Sequence, residues 1–293
     1  MPAGLPWDER NYSCAYDSII PILLQIWRDN PNVWGKRLSI YNELSSLPKD
    51  FEDVEKGRMD LKEVRGKIKG ALNSKNPVRF PEGMRLVDIH QVLRELFTMK
   101  NPFQEKVVKC PNQNCGKTLS VKSYSSYLLY TTSTGFVNQV YTVFDRKYDF
   151  STQNPYRLSD WWKFARRAVS VKCKYCKQEI MAEGSQDLQT ITHFLPPIIG
   201  IQVYSSYSKI DKEIRIMKNE TVNQTYRLSG IIYLLIDHYF CRVVDHKNQV
   251  WFSDGRKFAG QFELDGSLQQ MSDEDLNKLG SCIAQVAIYS KNP

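Results

Sequence analysis

Histidine is scarce in this chain, with four among 293 residues, so chemistry that needs an imidazole has few places to find one. Long apolar runs are missing too. The longest, 231–236 and 194–203, fall well short of the roughly 20 residues that a bilayer-crossing helix requires, and the second contains a Pro pair; no membrane span is expected. There is no Lys/Arg block with interleaved aromatics. The net charge of +8 favours an anionic partner in a general way, but stretches such as Glu55 to Lys69 mix both signs at helical spacing and read as a solvated surface rather than a nucleic-acid face. Internal repeats and low-complexity tracts are absent. The opening MPAGLPWDERNY has no charged-then-apolar signal, so the seven cysteines are expected to be reduced, in the cytoplasm or nucleus. The sequons at Asn11, Asn219 and Asn223 are then expected to stay unglycosylated.

What is present is the composition of a folded chain, 42% hydrophobic and 12% aromatic, long enough for one large domain or two ordinary ones. Residues 14–105 read as helical, in the stretches SIIPILLQIW, SIYNELSSL, DVEKGRMDLKEVRGKIKGAL and RLVDIHQVLRELF, where apolar residues return at three or four. Loops rich in Pro, Asn and Gly separate them, as at Asn30-Pro31-Asn32 and Ser74 to Glu82. From about Lys106 the pattern alternates: VVKC, TLSVKSYSSYLLYTTS and VYTVFDR predict strands, SDWWKFARRA a short helix, and IIGIQVYSS, YRLSGIIYLLI, HYFCRVV, QVWFSD and CIAQVAIY further strands. Within MSDEDLNKLG, Ser272 is placed to cap a helix with Asp275 three residues on and Gly280 as its stop.

Four cysteines fall into two close pairs, Cys110 with Cys115 and Cys173 with Cys176. Two short knuckles on hairpins, each turning both sulfurs to one point, suit a tetrahedral zinc-thiolate site with every position filled, hence a structural one. Unliganded thiols or a redox CxxC are the alternatives. Cys241 and Cys282 lie within strand patterns and read as small core or surface residues. Cys14 stands at the mouth of an apolar helix, where first-turn amides and the helix dipole favour a thiolate and can hold an oxyanion. A thiol nucleophile also needs an imidazole and a group to orient it. His90 lies on a helix and reads as structural, His193 precedes a strand, and His246 sits in a DHKN turn facing solvent. His238 begins a strand after the apolar run IIYLLI, and Asp254 follows on the neighbouring strand, where an antiparallel hairpin brings the two together. Taken alone, Asp254 reads as the turn residue of SDG.

In the order in which they occur, these segments resemble the ubiquitin-specific proteases, papain-related deubiquitinases built of thumb, palm and fingers. NYSCAYDS resembles the family's Cys box with Cys14 as nucleophile; the two knuckles resemble its fingertip site; THFLPPIIGIQVYSS resembles a segment leading into a palm strand. YRLSGIIYLLIDHYFCRVV with VWFSDG is similar to its His box and following acid, and CIAQVAIY to the closing palm strand. The resemblance implies an α+β, papain-like cysteine protease fold in a single catalytic domain spanning 1–293, with a helical thumb over 1–105, zinc-bearing fingers over 106–190 and a β palm over 191–293. It implies Cys14, His238 and Asp254 as catalytic residues and Cys110, Cys115, Cys173 and Cys176 as ligands of structural zinc. The expected reaction is hydrolysis of peptide or isopeptide bonds after the C-terminal Gly of ubiquitin, by a monomer. SUMO or another ubiquitin-like modifier is the alternative substrate, and a catalytically silent zinc-stabilised binding module the alternative class. The chain departs from the pattern in several places. Asp17 stands where Asn is usual, Asn-Tyr-Ser replaces Gly-Asn-Thr before the nucleophile, and Asp237 replaces the Gly before the His. Glu9 occupies the position of the usual oxyanion Asn, so Asn11, the nearest side-chain amide, is expected to serve as oxyanion donor beside the backbone amides near Cys14; backbone amides alone are the alternative.

Overall fold

In the structure, a computed structural model, residues 2–128, 156–160, 168–183, 188–203, 208–217 and 223–292 are described. Five helices come first: α1 (Cys14–Asp29), α2 (Pro31–Leu38), α3 (Leu47–Glu55), α4 (Leu61–Lys75) and α5 (Ile89–Leu96). The first is buried from Cys14 through Trp27 and runs through Pro21, whose ring removes the amide that the Asp17 carbonyl would otherwise receive. Asn30-Pro31-Asn32, expected as a loop, instead opens α2. The Asn30 side chain caps Val33 N, and Pro31 stands at the first helical position, where its missing N–H costs nothing. SIYNELSSL is mostly turn, reaching helix only at Leu47. The long stretch 53–72 is two helices, broken at left-handed Gly57 and restarted by a capping box between Asp60 and Glu63.

The strands are β1 (Gln104–Lys109), β2 (Thr118–Ser123), β3 (Tyr127–Leu128), β4 (Tyr156–Arg157), β5 (Ala168–Lys172), β6 (Glu179–Glu183), β7 (Leu188–Thr192) and β8 (Ile198–Gln202). They continue as β9 (Ser208–Lys209), β10 (Glu213–Met217), β11 (Asn223–Leu235), β12 (His238–Val244), β13 (Gln249–Ser253), β14 (Glu263–Ser267), β15 (Lys278–Leu279) and β16 (Cys282–Lys291), with short helices α6 (Gly255–Phe258) and α7 (Asp273–Asn277) among them. As expected, Ser272 and Asp275 form a capping box at α7. VYTVFDR, the end of TLSVKSYSSYLLYTTS and most of SDWWKFARRA lie outside the described residues.

Among the described residues, nine strands form one sheet, ordered β14-β13-β12-β11-β16-β8-β3, with β10 on β11 and β15 on β16. Both of its faces are covered. Along β12, Tyr239, Cys241 and Val243 pack into the helical core, whereas Phe240 and Val244 join a second core on the far side; a sheet buried on both faces needs apolar residues at odd and even positions alike. Helix α1 lies directly against β11 and β12. Gly230 permits this, because a Cβ there would meet Ile22 Cδ1 at 2.6 Å. Away from this sheet, β2-β1-β7 form a three-stranded sheet and β5-β6 a hairpin. Within 106–190, Tyr127–Leu128 joins the large sheet beside β8. No described helix is long and apolar enough to cross a membrane.

Candidate functional site

Cys14 is the first residue of α1 and is almost wholly buried. Burial pushes its thiol above the ordinary value and Asp17 adds to this, while the backbone amides of Tyr239 and Ala15 and the charge of Arg256 pull the other way without prevailing. The expected ready thiolate at an open helix mouth is therefore corrected: desolvation outweighs the helix terminus, and the sulfur lies against the start of β12. The amide of Cys14 meets no acceptor among the described residues. Nor do Asp17 and Ser18 cap the first turn. Asp17 receives the Ser13 hydroxyl at 2.5 Å and Arg65 Nη1 at 2.8 Å, and Ser18 donates back to the Cys14 carbonyl at 2.7 Å. Burial raises the Asp17 carboxyl to about 6, against the opposing pull of Arg65.

The lead-in is a short 3-10 turn, Glu9–Asn11, followed by Tyr12 in a left-handed conformation (φ 43°) that a bulky residue adopts only when its surroundings impose it. Asn11, expected as the oxyanion donor, has its amide engaged elsewhere: Nδ2 donates to Asp8 at 2.8 Å, and Oδ1 accepts from Lys69 at 3.1 Å. The Asn11 bond is the largest influence on Asp8 and holds its carboxyl below the usual range.

His238 and Asp254 meet as the hairpin predicts. The imidazole Nε2 lies 2.8 Å from Asp254 Oδ1, with both residues buried. Asp254 follows β13 as the N-cap of α6, where Oδ1 also accepts from Arg256 N at 3.0 Å. Burial pushes its carboxyl up, but the bond to His238, the imidazole charge and the Arg256 amide together hold it below its ordinary value. An ionised Asp254 can only accept, so the proton in this contact is carried by Nε2. Nδ1 is buried and meets no hydrogen-bond partner among the described residues. Trp7 stands edge-on to this ring, 6.1 Å between centroids, and Arg256 lies 4.1 Å over Trp7. The other histidines are placed elsewhere: His90 bonds Tyr127 at 2.6 Å, and His246 is exposed.

Sequence reasoning missed Arg65, which it counted among the solvated charges of Glu55 to Lys69. A signal was there. Leu61, Val64, Ile68 and Leu72 repeat at helical spacing, and Arg65 falls on that same buried stripe.

In the strand-rich middle, Cys110, Cys115, Cys173 and Cys176 bring their sulfurs within 4.8 Å of one another. Cys110 and Cys176 are 3.6 Å apart and Cys115 and Cys173 3.8 Å. A tetrahedral zinc with Zn–S near 2.3 Å implies sulfur separations of about 3.8 Å, so the donor set fits that ion. Both knuckles turn alike: left-handed Gly116 follows Cys115, and left-handed Lys177 follows Cys176. The knuckle amides, that of Cys176 first, lower the Cys173 thiol, while burial raises that of Cys110.

No protein-family model matches the chain, and no curated protein matches it. Solved structures do. The SAGA DUB module of Ubp8, Sgf11, Sus1 and Sgf73 bound to monoubiquitin aligns over 99% of this chain and 69% of its own, at 14% identity and a TM-score of 0.50. A yeast SAGA DUB module with an Sgf73 mutant aligns over 99% and 68% at 14% identity and a TM-score of 0.48. A further form of the module, without the zinc finger of Sgf11, aligns over 99% and 69% at 13% identity and 0.49. The monoubiquitin-bound module carries the comparison: this chain has a mixed helix-and-sheet fold like that of the ubiquitin-specific protease Ubp8.

Proposed function

We propose that the protein is a thiol-dependent deubiquitinase that cleaves peptide or isopeptide bonds after the C-terminal Gly of ubiquitin. The observation that carries this reading is the buried His238–Asp254 pair, bonded through Nε2 with Nδ1 unpartnered, while the sulfur of Cys14 rests against the amide of the next residue, Tyr239. Nδ1 takes the Cys14 proton, and the thiolate attacks the scissile carbonyl. The oxyanion falls to the unclaimed amide of Cys14, because Asn11 is engaged by Asp8 and Lys69. The imidazolium then gives its proton to the leaving amine, and a water deprotonated by His238 releases ubiquitin from the thioester. Asp254 holds the ring and its tautomer throughout.

The likeness to Ubp8, whose module holds monoubiquitin, supports ubiquitin as the partner. Zinc held by Cys110, Cys115, Cys173 and Cys176 would tie the two knuckle hairpins together. The free cysteines suit a reducing compartment, cytoplasm or nucleus. The test is reaction with ubiquitin and SUMO probes bearing a C-terminal electrophile. Wild type should form an adduct with the ubiquitin probe at Cys14, and Cys14→Ala none. Absence of any adduct with wild type under reducing conditions overturns the reading; an adduct with SUMO alone moves the substrate to that modifier.

A further inference from the structure

Trp7 belongs to the lead-in to Cys14, yet it touches the elements that carry the other two residues of the site, and the mechanism above makes no use of it. Two aromatic rings stand against the His238 imidazole. Phe240, two residues along β12, lies 6.2 Å from it at 36° and comes with the strand itself; Trp7, T-shaped at 6.1 Å and 72°, arrives from a distant part of the chain. The Arg256 guanidinium lies 4.1 Å over the indole, while its backbone amide donates to Asp254 and its Nη1 is 3.6 Å from Asp237, the residue before His238. Trp7 N donates to the Gly255 carbonyl at 3.3 Å. The lead-in is seated closely on α6: a Cβ on Gly255 would meet Leu5 O and Trp7 N at 3.0 Å, and one on left-handed Gly260 would meet Leu5 C at 2.8 Å. Leu5 is itself buried in the helical core. The indole Nε1 is buried and meets no hydrogen-bond partner among the described residues. An unmet buried donor is a cost, so the ring owes its place to Arg256 and His238 and not to a bond of its own.

We propose that Trp7 is a positioning residue for the hydrolytic reaction: its indole, held under Arg256, is the wall that keeps the His238 imidazole on Asp254 and keeps water off the bond between them. A hydrogen bond to a carboxylate is stronger where water is excluded, and an exposed pair of the same groups contributes little. Trp7 acts through His238. This inference rests on the hydrolase reading for its effect on turnover, whereas its effect on the His238–Asp254 bond can be read without substrate.

The experiment compares wild type, Trp7→Phe and Trp7→Ala by two measurements. The first is steady-state hydrolysis of ubiquitin carrying a C-terminal fluorogenic amide. Trp7→Ala should lower kcat about 100-fold, the effect of about 1 Å of misplacement in a reacting group, with KM within about threefold. Trp7→Phe keeps a ring against the imidazole and should stay within about fivefold of wild type in kcat. The second measurement is the far-downfield proton resonance of His238 Nε2–H, assigned by its absence from His238→Ala. It should be visible in wild type and Trp7→Phe and lost to exchange with water in Trp7→Ala. Wild-type kcat in Trp7→Ala overturns the proposal. So does a loss of kcat in Trp7→Ala with the resonance retained, or a wild type that shows no such resonance, since the bond is then not what Trp7 guards. Equal losses in Trp7→Phe and Trp7→Ala overturn it as well, because the ring would not be the part that matters. Should Trp7→Ala not fold, Trp7→Val, too short to reach the imidazole, decides on the same terms. A wild type inert toward ubiquitin and SUMO substrates removes the hydrolase reading and this inference with it; an active wild type with an unaffected Trp7→Ala removes this inference alone.

Discussion

Nε2 of His238 lies 2.8 Å from Oδ1 of Asp254, a contact that joins the first residue of β12 to the cap of α6. The relationship fixes one face of the imidazole and leaves the other nitrogen unspent. A carboxamide oxygen can accept from Nε2 as a carboxylate does, whereas a methyl group cannot. Asp254→Asn should therefore keep kcat within about tenfold of wild type, and Asp254→Ala should lose about 100-fold. Hydrolysis of the fluorogenic ubiquitin substrate measures both, and equal losses would argue against an orienting role.

Cys14 offers a second test, in which only the thiol is read. Burial holds its thiol above the ordinary value, so without a base nearby the thiolate is the minor form at neutral pH. In His238→Ala, alkylation at Cys14 by iodoacetamide should be slow at neutral pH and still climbing beyond pH 9. Wild type should alkylate faster at pH 7.5, with the difference followed at the Cys14 peptide by mass spectrometry. Identical pH profiles would show that His238 does not reach the sulfur.

Asp17 supplies a prediction about stability. Its carboxyl is raised in the folded protein from 3.8 to about 6, so its contribution is fully present below pH 3.8 and is lost as pH rises through 6. The folded state binds the extra proton across this window, and the loss amounts to about 3 kcal/mol. The groups facing it are Arg65 from α4, Asp8 and Ser13 from the lead-in, Cys14 from its own helix and Cys241 from β12. Urea unfolding at pH 4.5 and 7 should show wild type gaining on Asp17→Asn at the lower pH. A constant difference between the two proteins would sink this assignment.

The four-sulfur cluster predicts metal content. Purified protein should carry about one equivalent of zinc, and Cys173→Ser should lose it. Unchanged zinc after that substitution would remove Cys173 from the ligand set.

The parts of the site that were legible in the sequence are those specified by short-range pattern. The apolar run after Cys14 gives a buried helix, and the DHKN turn brings His238 to Asp254, because a hairpin leaves little freedom in register. Two kinds of feature were misread. Asn30-Pro31-Asn32 has turn-like composition, but Asn as cap and Pro at the first position serve a helix start equally well. Arg65 reads as a solvated charge among its mixed-sign neighbours; its place on the apolar stripe of α4 is local, but the identity of its buried partner is not. That partner, Asp17, lies 48 positions away in the chain, beyond the reach of any periodicity. The state of Cys14 was misjudged for a related reason: the helix terminus is a local property, and the burial that overrides it is not.

Ile22 sits where a Cβ on Gly230 would be, so the helix that begins with Cys14 is keyed into the strand that leads through a hairpin to His238. The angular phase of the sulfur about the helix axis is thus inherited from a contact two turns further along. One residue inserted between Ala15 and Ile22 would rotate Cys14 by about 100° and carry it about 1.5 Å along the axis, turning it from β12 while His238 and Asp254 remained in place.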